Sequence, residues 1–157
     1  MSEATVLRAA EGAADMATVA ALFREYQQGL GVSLCFQDFE RELAELPGAY
    51  ARPSGIVLLV ERGGHAVGVG ALRPLGPGIA EMKRLYVRPS ARGLGLGREL
   101  ALALVAEAKR CGYAAMRLDT LPHLKAAIAL YADMGFRAIE PYSENPIADV
   151  RHYELAL

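Results

Sequence analysis

The chain has 157 residues, 53% of them hydrophobic and 22% charged, so we expect one domain over residues 1–157 with a sizeable buried core. Basic and acidic residues leave a formal net charge of −1, which argues against a protein that coats nucleic acid. Two cysteines cannot build a disulfide framework, and no apolar stretch is long enough to predict a signal peptide or a membrane span. These properties predict a cytoplasmic protein without nucleic-acid or membrane partners.

The first half of the chain combines apolar residues at helical spacing with short apolar runs bounded by turn residues. The run Ile56–Glu61 is almost unbroken, as in a strand buried on both faces, and Arg62-Gly63-Gly64 then predicts a hairpin turn. In chain order, the predicted elements are a strand over Thr5–Arg8, a helix from Gly12 to Gly29, a helix over Phe36–Leu46, and strands over Ile56–Glu61 and His65–Arg73.

The second half predicts one strand-loop-helix-strand crossover, followed by a helix and two more strands. Together with the first half, this order indicates a mixed α/β domain. After a turn over Pro74–Gly78, the predicted elements are a strand over Ile79–Arg88, a loop over Pro89–Gly97, a helix over Arg98–Cys111, a strand over Ala114–Asp119, a helix over Pro122–Met134, and strands over Phe136–Ile139 and Val150–Ala156.

The loop before the long helix has the composition of an anion-binding site. Gly93, Gly95 and Gly97 alternate along it, and glycines let the backbone approach a ligand closely. The helix that follows offers amide N–H groups and a positive dipole end. Five basic residues and no acidic residue fall between Met82 and Arg98: Lys83, Arg84, Arg88, Arg92 and Arg98. We interpret this segment as a pocket for a pyrophosphate, with a tight turn and a solvated basic rim as the alternative.

Two common phosphate-binding patterns do not fit this loop. No Lys-Ser or Lys-Thr pair follows the glycines, as a P-loop requires. The third glycine comes one residue too early for the dinucleotide pattern GxGxxG, although Asp119 ends the next strand where a ribose-binding acid would lie. Only 38 residues follow Asp119, too few for the repeated βαβ units of a dinucleotide fold.

The remaining pattern, Arg92-x-x-Gly95-x-Gly97 directly after Leu85-Tyr86-Val87-Arg88-Pro89, resembles the GNAT superfamily of N-acetyltransferases. A second signature over Ala127–Phe136, a helix whose tyrosine is followed four residues later by Gly-Phe, resembles the late helix of that family. The resemblance covers essentially the whole chain. It implies an α/β acyl-CoA N-acyltransferase fold, with a mixed, mostly antiparallel sheet of six to seven strands, about four flanking helices, and the fourth and fifth strands splayed apart.

The resemblance also implies acetyl-CoA as co-substrate and no metal. Its pyrophosphate would bind backbone amides of the glycine loop, and its pantetheine would pair like a strand with the exposed backbone of the fourth strand. The amides carried over belong to Arg92, Gly93, Leu94, Gly95, Leu96, Gly97 and Arg98, and the strand positions are Leu85, Tyr86 and Val87. Many relatives carry an asparagine seven residues before the tyrosine, where this chain has Leu124. That polar contact is therefore either missing or supplied by a neighbour, with His123 and Lys125 as the candidates.

Two residues match the family's catalytic positions. Tyr131 matches the tyrosine that protonates the leaving thiolate, with a helix tyrosine packed on the sheet as the alternative. Glu81 matches a general base on the fourth strand, and the alternative is a structural acid paired with Lys83 or Arg84. The expected reaction is direct acetyl transfer to a primary amine in a ternary complex. A non-catalytic acyl-CoA-binding module on the same fold, and an O-acetyltransferase or a different acyl donor, stay open as alternatives.

The acceptor site is expected between the first two helices, the fourth and fifth strands and the last loop. The resemblance places Tyr26, Phe36, Asp119, Tyr142 and Asn145 there, and we prefer a small-molecule or amino-acid-like amine as the acceptor. The polar segment Tyr142–Pro146 would close over it, or would be an ordinary hairpin loop. The apolar C-terminal strand makes a homodimer possible.

Overall fold

Seven strands form one open sheet in the computed structural model, which describes residues 4–31, 38–143, 147 and 149–157. The strand order is β1-β2-β3-β4-β5-β7-β6, and β4 with β5 is the parallel pair in an otherwise antiparallel sheet. This confirms the predicted sheet. The strands are β1 Thr5–Ala9, β2 Ile56–Arg62, β3 His65–Gly76, β4 Ile79–Val87, β5 Ala115–Thr120, β6 Arg137–Ile139 and β7 Arg151–Ala156.

Four α-helices in the described part of the chain cover the sheet, and several of their boundaries differ from the predicted ones by one to three residues. Residues 122–124 form a turn in which the Leu124 N–H donates to Leu121 O, so the last helix begins after Pro122. Strand β3 also continues past Pro74, because an irregularity in its register tolerates the missing N–H. The helices are α1 Gly12–Leu30, α2 Phe39–Ala44, α3 Leu96–Arg110 and α4 Lys125–Met134.

The sheet is buried on both faces, with one apolar core on each. Helices α3 and α4 pack on one face, over Leu58 and Val60 of β2, and helices α1 and α2 pack on the other, over Val57 and Leu59. Alternate residues of this strand therefore enter different cores, which is why its sequence reads as an unbroken apolar run. The strand buried on both faces is confirmed.

Strand β4 carries a bulge and then separates from β5. Val69 pairs with Tyr86 and Ala71 with Lys83, so one residue of β3 faces two of β4, and Arg84 takes φ 59° at this bulge. Strands β4 and β5 are in register only from Ile79 to Glu81 within the described residues. Beyond Glu81 the two strands diverge, as predicted, and a gap opens between them in the middle of the sheet.

A buried ion pair holds helix α2 against the bulge. The Arg84 guanidinium, with 3% of its side chain exposed, donates two hydrogen bonds to the Glu42 carboxylate at 3.0 and 3.1 Å. It also lies over the Phe39 ring, 5.2 Å from the centroid. The sequence interpretation counted Arg84 among the cations of the anion site. In the structure its charge is instead paired with Glu42 of α2.

Glu42→Gln should destabilise the protein, since it leaves the Arg84 charge buried without its carboxylate. Loss of one partner of a buried pair costs about 3–5 kcal/mol of unfolding free energy. Glu40→Gln is the matched control, because Glu40 lies on the same helix and pairs with Arg24 in solvent, where both side chains are more than half exposed. Urea unfolding measures both variants, and equal midpoints for the two would contradict the buried pair.

Candidate active site

A cleft of about 610 Å³ lies between the C-terminal end of β4, the glycine loop, α4 and the end of α1; we call it the outer cleft. Eight of the ten residues predicted to bind the cofactor line it: Leu85, Tyr86, Val87, Arg92, Gly93, Gly95, Leu96 and Gly97. The other two do not line it. Leu94 is 50% exposed at the tip of the loop, and Arg98 pairs with Asp133 of α4 at 2.6 Å.

The glycine loop and the first turn of α3 present backbone amides at one end of the outer cleft. Gly93 and Gly95 have φ of 82° and 76°, a conformation that other residues adopt only with strain. Gly95 is the N-cap of α3, so the amides that follow it have no acceptor within the helix. Such a helix start is suited to bind an anion.

Gly97 has no such backbone requirement. A Cβ built on Gly97 would meet its nearest neighbour, the Val87 Cγ2, at 4.0 Å, which is ordinary contact. The protein itself therefore leaves room for a side chain at this point of the cleft wall. Because glycine has no side chain, a ligand in the outer cleft could contact the backbone directly at this position.

The basic side chains of this segment do not act together, which corrects the sequence interpretation. The structure brings an acid from another part of the chain to four of the five cations: Asp119 to Lys83, Glu42 to Arg84, Glu25 to Arg88 and Asp133 to Arg98. Arg92 lines the outer cleft, where its Nε donates to Val87 O at 3.0 Å. Among the described residues, no carboxylate lies within ion-pair distance of Arg92.

A second, smaller cavity of about 60 Å³ lies in the gap between β4 and β5; we call it the inner cavity. It adjoins the outer cleft, because five residues line both: Tyr26, Leu30, Leu85, Leu124 and Ala127. Its wall combines apolar and polar side chains. The polar side chains on it are Tyr26, Lys83, Arg84, Asp119, Thr120 and Tyr131.

Tyr131 projects from α4 into the inner cavity and is 6% exposed. Its ring packs edge-to-face on Phe136, with centroids 5.6 Å apart. Burial raises the pKa of the Tyr131 phenol far above its usual value, and the nearby Tyr26 and Asp119 raise it further. Tyr131 therefore holds its proton throughout the neutral range, as a proton donor must.

Glu81 is buried, at 2% exposure, and both of its carboxylate oxygens are engaged. Oε1 accepts from Arg73 Nε at 2.8 Å, and Oε2 accepts from the Tyr142 hydroxyl at 2.7 Å. Burial opposes ionisation, but the charges of Lys83 and Arg73 outweigh it and hold the pKa of Glu81 below its usual value. The ion pair of the structural alternative exists, with Arg73 as partner in place of Lys83 or Arg84.

Lys83 and Asp119 meet on the wall of the inner cavity, with Nζ and Oδ1 3.9 Å apart. Burial lowers the pKa of Lys83, and the charge of Asp119 partly offsets this. Sequence reasoning named Asp119 but missed Lys83 as a cavity residue. The available signal was alternation, since Lys83 follows Glu81 by two residues and shares its face of the sheet.

The other predicted acceptor residues are distributed differently. Tyr26 lines both the cleft and the cavity, and burial raises the pKa of its phenol to about 12. Tyr142 covers Glu81 instead, with its ring 5.0 Å from that of His152, whose buried Nε2 has no hydrogen-bond partner in the described structure. The predictions for Phe36 and Asn145 lie outside the described residues.

The remaining expectations concern the departure at residue 124, metals, membranes and dimerisation. His123, Leu124 and Lys125 all line the outer cleft. In the described ranges, no group of three His, Cys, Asp or Glu residues could hold a metal ion, and no helix could span a membrane. Strand β7 is bonded to β5 on one edge and, over residues 152–154, to β6 on the other, and the dimer through this strand stays a prediction.

Comparison with known proteins identifies the fold and its chemistry. Residues 18–136 match the Acetyltransferase (GNAT) family. This chain belongs to that family. An uncharacterised N-acetyltransferase of Schizosaccharomyces pombe is 44% identical over 138 residues, which are 87% of this chain and 85% of that protein. The chain is thus a GNAT acyltransferase.

Solved GNAT structures share the architecture. An acetyltransferase of Streptococcus agalactiae superposes with a TM-score of 0.81 at 21% identity, covering 98% of each chain. An N-acetyltransferase of Thermoplasma acidophilum, solved with coenzyme A, superposes with a TM-score of 0.74 at 19% identity, covering 98% of this chain and 99% of that one. The fold, with its splayed β4 and β5, is therefore that of the GNAT acyltransferases.

Proposed function

We propose that this GNAT protein transfers an acetyl group from acetyl-CoA to the primary amine of a small molecule, by direct attack in a ternary complex. The observation that carries the proposal is that the outer cleft adjoins the inner cavity, on whose wall Tyr131 lies. A thioester that enters along the outer cleft and reaches the inner cavity meets a protonated phenol there. An amine in the inner cavity would then lie on the side of the thioester that faces away from the outer cleft.

The outer cleft fits acetyl-CoA in two respects. At one end, the amides of Arg92–Arg98 and the start of α3 would hold the diphosphate, and Gly97 leaves the space for it. Along the wall, the divergence after Glu81 leaves the edge of β4 without strand partners among the described residues, so the pantetheine amides can pair with Leu85, Tyr86 and Val87.

Three groups are needed for the chemistry. The acceptor ammonium must lose a proton before its nitrogen attacks the carbonyl, and two carboxylates, Glu81 and Asp119, lie on that side of the sheet. A hydrogen-bond donor must stabilise the oxyanion, and the backbone N–H at Leu85 or Tyr86, beside the bulge, is our candidate. When the C–S bond breaks, Tyr131 gives its proton to the thiolate.

The size of the inner cavity supports a small acceptor group. About 60 Å³ admits an amine and a short carbon chain, while the apolar wall formed by Leu118, Leu121 and Val150 suits the carbon.

Thermal-shift titration and a thiol-release assay test this function. Acetyl-CoA and CoA should raise the melting temperature, with about 2.7 kcal/mol of stabilisation at 100 times Kd, and pantetheine, which lacks the diphosphate, should do so less. A panel of primary amines should then release thiol with acetyl-CoA. No stabilisation at millimolar acetyl-CoA would contradict the proposal. Stabilisation without thiol release for any amine would favour the non-catalytic binding module.

A further inference from the structure

Two carboxylates lie on the acceptor side of the sheet, and the structure distinguishes them by what each one faces. Glu81 and Asp119 project to the same face, from neighbouring strands β4 and β5. Both are candidates to take the acceptor proton, if the proposed function holds. Asp119 lines the inner cavity and Glu81 does not, and Glu81 accepts hydrogen bonds from two side chains.

Both oxygens of the Glu81 carboxylate are engaged by the protein. Arg73 binds one oxygen at 2.7–2.8 Å, and the Tyr142 hydroxyl binds the other at 2.7 Å. Among the described residues that line the inner cavity, Glu81 is absent. If Glu81 took a proton from a substrate, its carboxylate would lose the negative charge that strengthens its bonds to Arg73 and Tyr142.

The Asp119 carboxylate is on the wall of the inner cavity, together with Tyr131 and Tyr26. Its contact with Lys83 is 3.9 Å long, beyond hydrogen-bond distance. The pKa values of Tyr26, Tyr131 and Tyr142 are raised mainly by burial, and the negative charge of Asp119 raises each of them further. Asp119 is therefore the carboxylate close to all three phenols.

We propose that Asp119 accepts the proton of the acceptor ammonium, and that Glu81 is a positioning residue that holds Tyr142 and Arg73. An N–H bond of the ammonium breaks and an O–H bond forms on Asp119. The nitrogen then attacks the thioester carbon, the C–S bond breaks, and the thiolate takes the Tyr131 proton. The remaining excess proton on nitrogen restores the Tyr131 phenol, and Asp119 returns its proton to water as the product leaves.

The groups that face Asp119 set the conditions of the test. They come from five elements: Lys83 of β4, Tyr26 of α1, Tyr131 of α4, Tyr142 of the last loop, and His152, which is the cross-strand partner of Asp119 on β7. Because Asp119→Asn removes the carboxylate beside a buried Lys83, that variant alone could fail to fold. Asp119→Glu keeps the negative charge beside Lys83, and the double variant Asp119→Asn with Lys83→Met removes both charges of the pair.

The experiment measures kcat/KM against pH for wild type, Asp119→Asn, Asp119→Glu and Glu81→Gln, after acetyl-CoA thermal shifts have verified each fold. Two acceptors are used: the panel amine with the highest rate, and its β,β,β-trifluorinated analogue, whose nitrogen is largely unprotonated at neutral pH. Asp119→Asn should lower kcat/KM for the basic amine by about 10²–10⁴-fold at neutral pH. The loss should shrink at higher pH and with the fluorinated amine, because the nitrogen then needs no base. Asp119→Glu should retain part of the rate, and Glu81→Gln should keep the wild-type pH profile.

The outcomes separate this inference from the proposed function. Equal losses for both amines at every pH, or wild-type rates in Asp119→Asn, would overturn the role of Asp119. A loss in Glu81→Gln that high pH restores would assign the base to Glu81 instead. If Asp119→Asn does not bind acetyl-CoA, the double variant is measured in its place. A larger loss of kcat/KM for the basic amine than for the fluorinated one would again support Asp119 as the base, and equal losses would overturn it. A wild-type protein that acetylates no amine would remove the proposed function, and this assignment with it.

Discussion

Tyr131→Phe is expected to lower kcat by about 10²–10⁴-fold, the usual contribution of a positioned general acid. The reason is that the departing thiolate would lose the phenol that lies on the inner cavity beside the outer cleft. The affinity for acetyl-CoA should stay nearly unchanged, since the ring and its contact with Phe136 are retained. Steady-state kinetics gives the first quantity, and a thermal-shift or calorimetric titration gives the second.

The pH dependence of this loss follows from the sign of the pKa shift. Burial raises the pKa of Tyr131, so the phenol is protonated in both the neutral and the moderately alkaline range. The ratio of wild-type to variant rates should therefore be constant across that range. Tyr113→Phe is the control, because its hydroxyl donates to Ser54 O at the surface. A Tyr131→Phe variant with unchanged kcat would remove Tyr131 from the acid role.

Gly97→Ala is expected to separate protein stability from cofactor binding. A Cβ at residue 97 meets only Val87 Cγ2 at 4.0 Å, so the protein accommodates it, and alanine in the first turn of α3 should stabilise the unliganded protein by up to about 1 kcal/mol. The same Cβ projects into the outer cleft beside the α3 amides. If it displaces the diphosphate from one of these amides, acetyl-CoA affinity should fall about 10–100-fold, the value of one hydrogen bond to a charged group.

Gly76→Ala provides the matched control for this change. A Cβ on Gly76 has no neighbour within 4 Å, and Gly76 lies at the end of β3, away from the residues that line the outer cleft. Urea unfolding without ligand and calorimetric titration with acetyl-CoA measure both variants. Unchanged acetyl-CoA affinity in Gly97→Ala would mean that the diphosphate does not bind at the start of α3.

Local signals predicted most of the fold. The apolar run of β2 identified a strand buried on both faces, and the glycine loop marked the start of α3, because these features depend on short-range backbone and solvation preferences. The errors occur at prolines. Pro74 lies within β3 at a register irregularity, and Pro122 lies in a turn before α4 rather than in its first turn. Tertiary contacts decide which of its local options a proline takes.

The site was predicted in part for the same reason. The loop of Arg92–Gly97 and Tyr131 were found because each belongs to a pattern within a short stretch of chain. Lys83 was missed as a cavity residue because nothing in its neighbourhood shows that β4 leaves β5 two residues earlier. The partners of Glu81, Arg73 and Tyr142, lie 8 and 61 residues away in the chain.

The pairing of the charged side chains shows most clearly what could not be predicted from the sequence. A net charge of −1 and a segment of five cations without an acid both follow from counting residues along the chain. Folding pairs four of those cations with Glu25, Glu42, Asp119 and Asp133, and leaves Arg92 and the backbone amides facing the outer cleft. Buried charge is compensated by whatever acid lies close in space, and that distance is a property of the tertiary structure alone. Composition and motif therefore predicted a site for one small anion, whereas the packing of α1, α2, α4 and β5 decided which groups face it.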